Sequence, residues 1–137
     1  MRTALVAALL IATLFILRDS LFRPLWFDEA LTVLNFMSSE SIGGIYFHYA
    51  IPNNHIVFTV LVRLWIELWE LLMPWTDFTL RIVPALISVL AVAEAFRTWR
   101  RCAGLYPVFL VLLAFVVSLP FDIYSTAVRG YMPSVLL

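Results

Sequence analysis

LRIVPALISVLAVAEAFRTWRR, residues Leu80 to Arg101, is the stretch that decides the fold. It reads as an apolar helix from about Leu80 to Trp99 whose far end carries Arg97, Arg100 and Arg101. An apolar helix that stops in an arginine cluster marks a bilayer span with its basic end in the cytoplasm. On its upstream side, Pro74-Trp75-Thr76-Asp77 breaks the preceding helix, because proline lacks the amide proton that a helix interior needs. On its downstream side, Leu105 to Phe121 contains no charged residue, and Ala103 to Phe121 is long enough to span as a further hydrophobic helix.

Composition agrees with this reading. Of the 137 residues, 64% are hydrophobic and the mean hydropathy is +0.98, against roughly 45–50% apolar residues in soluble domains. A soluble fold of this length has too little interior to hide so much apolar surface. The charges are sparse and balanced, nine arginines against nine carboxylates with no lysine, so no basic face points to nucleic acid. Cys102 is the single cysteine, which excludes an internal disulfide and a cysteine-based zinc site. His48 and His55 flank Pro52, which interrupts any helix that would align them as metal ligands.

Working outward toward the N-terminus, Thr3 to Leu17 is apolar but only about 22 Å long as a helix, short of a hydrocarbon core of about 30 Å. Continuing to Phe22 closes the gap, with Arg18 and Asp19 snorkelling at the far end. A cleaved signal peptide is the rival reading, but no small-x-small site follows Leu17, so an uncleaved first span is preferred. Arg23 to Pro52 is the least hydrophobic segment, rich in Trp26, Phe27, Tyr46, Phe47 and Tyr49, and residues of about 23–54 read as an outer loop lying on the membrane. Within it, Ala30, Val33, Leu34 and Met37 recur at helical spacing. This predicts an interfacial helix over Glu29–Ser39, with Asp28 as its cap and Gly43-Gly44 as its end. Pro52-Asn53-Asn54 opens the next element. From His55 to Met73 the chain is apolar apart from Arg63, Glu67 and Glu70, which at about 100° per residue share an arc of about 60°. Arg63 and Glu67 stand four apart and suit an intrahelical pair.

The expected architecture is therefore all-α and polytopic, with about four hydrophobic helices, an interfacial helix and, from Met132 to Leu137, the start of a further span. Placing Arg2 and the Arg97–Arg101 cluster in the cytoplasm makes the Leu80 helix run inward. The His55–Met73 helix must then begin and end on the outer side. The same path puts the Asp28-Glu29 loop and the segment containing Arg129 on one non-cytoplasmic face.

Four blocks in order carry a resemblance: Trp26-Phe27-Asp28-Glu29-Ala30, Pro52-Asn53-Asn54-His55, Leu80-Arg81-Ile82-Val83-Pro84, and Tyr124-Ser125-Thr126-Ala127-Val128-Arg129-Gly130-Tyr131. In order and spacing they resemble the N-terminal part of the GT-C fold membrane glycosyltransferases, a group that includes protein mannosyltransferases and the aminoarabinose and lipopolysaccharide sugar transferases. Members are several-fold longer, so the resemblance implies that residues 1–137 are an N-terminal portion whose remaining spans lie elsewhere in a parent chain. It implies transfer of a sugar from a polyprenyl-phosphate-linked donor to an acceptor at the non-cytoplasmic face, in a cell envelope such as the bacterial inner membrane. It also implies the site: Asp28 as general base, with Glu29 beside it, and Arg129, His55 and Tyr124 as substrate-binding residues. The chemistry is coherent. A carboxylate in hydrogen-bond reach of a hydroxyl contributes on the order of 10² to 10⁴ in rate, and a guanidinium forks onto phosphate oxygens. Set against these, Asp28 as a helix cap, Arg129 as a snorkelling anchor and His55 as a polar helix start are the plainer readings. Family members often carry a glutamate two residues before the arginine, where this chain has Ala127; Asp122 or Tyr124 would have to compensate. No metal is indicated by the sequence, although a divalent ion would be compatible with the reaction. The alternative function is a small non-enzymatic membrane protein, a scaffold or transporter subunit, in which intramembrane charges pair between helices. Further spans encoded after Leu137 would favour the enzyme.

Overall fold

The computed structural model describes residues 2–37, 41–47 and 56–128, and among them every regular element is helical. These are α1 (Arg2–Ser20), α2 (Phe27–Thr32) running into a π-helical turn (Val33–Met37), and α3 (Ile42–Phe47). After them come α4 (Ile56–Glu70), α5 (Asp77–Ala103), α6 (Leu105–Val116) and α7 (Leu119–Tyr124).

The core of the bundle is α1, α5 and α6, which contribute Leu9, Leu17, Ala85, Ala91, Val92, Phe96, Val108, Leu112 and Val116 to one apolar cluster closed by Phe121 of α7. Buried positions recur every three or four residues, as at Leu9, Thr13, Leu17 and Ser20 or Val108, Leu112 and Val116, so each helix turns one stripe inward. Small and hydroxylated residues at the seam, among them Thr13, Ala85, Ser88 and Ala91, let the helices approach closely. Thr13 satisfies its hydroxyl on the Leu9 carbonyl at 2.8 Å. The outward faces are apolar too: Ile11, Leu14, Phe15, Leu86, Leu90, Leu110 and Val111 are all exposed. A second cluster gathers Val33, Phe58, Val62, Ile66, Leu80 and Val128, with Val83 and Ile87 at its edge. It seats α4 against the first three turns of α5.

Two contacts set the direction of the bundle. Ser20, the last residue of α1, donates to the Asp122 carboxylate in α7 at 2.6 Å, and Arg81 near the start of α5 donates to the carbonyl of Arg23, just past α1, at 3.0 Å. The ends of α1 and α6 and the start of α5 therefore share one end of the bundle. The start of α1 and the end of α5, with Arg97, Arg100 and Arg101, lie at the other. Gly104 reverses the chain between α5 and α6 in a single residue at φ 86°, a backbone region open to glycine without steric penalty.

Helix entries follow from local chemistry. In α2 the carboxylate of Glu29, the third helical residue, accepts the Trp26 amide at 2.8 Å; in α5 the Thr79 hydroxyl does the same for the Thr76 amide, also at 2.8 Å. Each satisfies a donor that the first turn leaves without a partner. Pro84 sits inside α5, where Ser88 lies 2.8 Å from its carbonyl and 2.6 Å from that of Ser125.

Four expectations change. Among the described residues two helices, Thr3–Ser20 and Asp77–Ala103, are long and apolar enough to cross a membrane, rather than about four. Ala103–Phe121 is not one helix: it is parted at Gly104 and again after Val116. At the second break Pro120 has no amide to donate to the Val116 carbonyl four residues back and its ring would clash with it, so the helix stops after Val116 and Pro120 is accommodated in the first turn of α7. Ser118 instead caps α7, accepting from the Phe121 amide at 3.5 Å. The His55–Met73 stretch is the shorter α4, of 15 residues, and Arg63 does pair with Glu67 at 2.9 Å. Finally, the helix expected over Glu29–Ser39 begins at Phe27 and leaves α-geometry at Val33, so Trp26 rather than Asp28 stands at the cap position, and Asp28 accepts the Glu29 amide from inside the first turn. Gly43-Gly44 lies within α3, which starts there because the Ser41 hydroxyl accepts the Gly44 amide at 3.0 Å. The Pro52-Asn53-Asn54 opening and the Met132–Leu137 segment fall outside the described residues.

Candidate functional site

Arg81 organises the end of the bundle where α1 stops. It is the one basic residue in the first part of α5, only 3% exposed, and it uses its donors in every direction. Nε donates to the Arg23 carbonyl at 3.0 Å, Nη1 to the Thr126 carbonyl at 2.9 Å, and Nη2 to the Pro24 carbonyl at 2.9 Å. The guanidinium also forks onto Glu29, with Nη2 to Oε2 at 2.9 Å and Nη1 to Oε1 at 3.4 Å.

Glu29 is 2% exposed and equally committed. Besides Arg81, its Oε2 takes the Trp26 amide, and its Oε1 takes the Val128 amide at 2.7 Å. Each charge thus stands opposite its counter-charge and within a cage of main-chain dipoles, the arrangement that lets an ion pair persist away from water. The loop after α1, the start of α5 and the segment after α7 are pinned together by this pair.

Asp28 lies on the first turn of α2, half-buried beside the pair. Its Oδ1 accepts the Glu29 amide at 3.0 Å, and its carbonyl accepts the Thr32 hydroxyl at 2.9 Å. The neighbouring carboxylates therefore have different circumstances. Glu29 is enclosed and fully coordinated by protein donors, whereas Asp28 reaches the surface next to Trp26 and Phe27, which are exposed.

The same end carries a second polar contact. Asp122 accepts from Ser20 through Oδ1 at 2.6 Å and from Arg23 Nη2 through Oδ2 at 2.8 Å. Burial pushes the Asp122 carboxyl upward, but the Ser20 hydroxyl and the Arg23 guanidinium outweigh it and hold it below its ordinary value. Phe22 stacks on Phe78 with ring centroids 5.1 Å apart, and the Asp77 carboxylate faces the Leu25 amide at 3.4 Å.

Of the residues expected to form a site, the structure therefore brings Asp28 and Glu29 together with the segment that leads to Arg129. Tyr124 is exposed at the end of α7, and Ala127, where a family glutamate would stand, is buried. Asp122 is occupied by Arg23 and Ser20. Arg129 and His55 lie outside the described residues. Among the described residues no group of three or more His, Cys, Asp or Glu is placed to hold a metal ion. Sequence reasoning left Arg81 without a role. The available signal was an arginine on the apolar stretch itself, since an ionisable group at such a position needs a partner. No family model matches the chain, and no curated protein and no solved structure matches it either.

Proposed function

We propose that the chain is the N-terminal part of a membrane glycosyltransferase of the GT-C type, with α1 and α5 crossing the bilayer. The observation that carries this reading is the convergence at one buried ion pair. Three of the four sequence blocks that suggested the family supply its parts: Glu29 from the first, Arg81 from the third, and the Val128 amide and Thr126 carbonyl from the fourth. Residues 52 to 99 positions apart need a reason to meet, and a donor-acceptor pocket assembled on a rigid base is one. The apolar outward faces of α1, α5 and α6 support insertion, because lipid solvates them where water would not.

In this reading Asp28 is the base. It takes the proton of the acceptor hydroxyl as that oxygen attacks the anomeric carbon. The bond from that carbon to the phosphate oxygen breaks on the opposite face, and the polyprenyl phosphate departs with the electron pair. Glu29 takes no proton here; held by Arg81, it fixes the turn that presents Asp28. Arg129 carries the phosphate-binding role. The test uses the parent enzyme under saturating donor and acceptor. Asp28→Asn keeps size and removes basicity, and turnover is expected to fall by about 10² or more. Near-normal turnover by a folded Asp28→Asn enzyme overturns the assignment.

A non-enzymatic membrane scaffold is the second reading, favoured by the completeness with which Glu29 and Arg81 satisfy each other inside this chain. Activity in the parent that depends on Asp28 would decide against it.

A further inference from the structure

Charge is divided between the two ends of the bundle. The end built around Arg81 carries Arg18, Arg23, Arg63 and Arg81 against seven carboxylates, Asp19, Asp28, Glu29, Glu67, Glu70, Asp77 and Asp122. Among the described residues the opposite end has Arg2 opening α1 and Arg97, Arg100 and Arg101 closing α5, against Glu94 alone. Glu94 is occupied: it takes Arg97 through both oxygens at 2.7 Å, and the Thr98 hydroxyl at 3.1 Å. Four arginines against one described carboxylate give that end its net positive charge. Two aromatic side chains flank it, Trp99 and Tyr106, 51% and 54% exposed, the residue types that settle at headgroup depth. Gly104 turns the chain between them, so the end of α5 and the start of α6 form one blunt surface.

We propose that this basic, aromatic-flanked end binds the headgroups of anionic phospholipids, with Arg100 and Arg101 as the principal contacts. The chain has nine arginines and no lysine, and the planar arginine fork matches two phosphate oxygens at once. A cluster of this kind at the end of a span is drawn to a negatively charged leaflet. The partner is the bilayer itself, and the contact holds α5 at a fixed depth, so that its other end keeps Arg81 and Asp28 at the opposite interface. The proposal rests on membrane insertion of α1 and α5 and not on glycosyl transfer.

The test titrates the purified full chain in mild detergent with fluorescently labelled phosphatidylglycerol and, separately, phosphatidylcholine. Wild type is expected to prefer phosphatidylglycerol by about tenfold or more at low salt. Arg100→Gln with Arg101→Gln should weaken phosphatidylglycerol binding roughly thirtyfold, about what two basic residues contribute near an anionic surface. Arg18→Gln, at the other end, should leave it unchanged. Should the double variant fail to fold, the wild-type salt series decides: the preference should collapse between about 0.05 M and 0.5 M salt. Equal binding of the two lipids by wild type, an equal loss in Arg18→Gln, or a salt-independent preference overturns the proposal. A chain that stays monodisperse in water without detergent overturns the membrane reading beneath it.

Discussion

Replacing Arg81 with methionine is the sharpest perturbation of this structure. Methionine keeps much of the aliphatic stem, so the packing beside Leu80 and Val83 changes little, but all five guanidinium donors disappear. Glu29 is then left as a buried carboxylate with only the Trp26 and Val128 amides, and the carbonyls of Arg23, Pro24 and Thr126 lose their donor. Removing one partner of a buried pair costs about 3–5 kcal/mol, which for a chain of this size is a fall in Tm of about 10 °C or more. The measurement is thermal unfolding in detergent followed by tryptophan fluorescence, with the cycle completed by Glu29→Gln and by the double variant. The double variant buries no charge, and its glutamine oxygen still accepts one of the two amides. It is therefore expected to melt above Arg81→Met alone. An Arg81→Met chain melting within about 2 °C of wild type, or singles that add to the double within about 0.5 kcal/mol, would refute the coupling described here.

Two further outcomes follow from other residues. Because the Asp122 carboxyl lies below its ordinary value when folded, its contact with Arg23 and Ser20 contributes at and above the ordinary carboxylate range and is lost as pH falls through the lowered value. Wild type should thus lose stability in acid more steeply than Asp122→Asn, and parallel acid limbs in the two chains' pH–Tm curves would exclude that role. In membrane vesicles of known sidedness, exposed Cys102 should react with an impermeant maleimide from the cytoplasmic side. A cysteine placed at position 28 in a Cys102→Ser background should react from the other side, and labelling of both from one side would break the proposed path.

The helical character of the chain and most of its interruptions could be read locally. Proline at 74, the glycine at 104 and the arginines at 97–101 act through the backbone and side chains within a turn of themselves, and the Arg63–Glu67 pair is likewise a matter of four-residue spacing. The break at Ser118 was legible by the same means, since Pro120 forbids the helix that the run of apolar residues invites. The apolar run from Ala103 to Phe121 is therefore parted into α6 and α7. The division of labour between Asp28 and Glu29 was not legible. Adjacent carboxylates look alike in sequence, and what separates them is that α5 brings Arg81 from 52 residues away to one of them, while the chain returning after α7 offers the Val128 amide from 99 residues away. A single ion pair in a dry site has no local signature, because its stability depends on counter-charge and donors converging from every side. That convergence is set by the antiparallel packing of α1 and α5 and by the depth at which their ends align, quantities that exist only once the helices are packed.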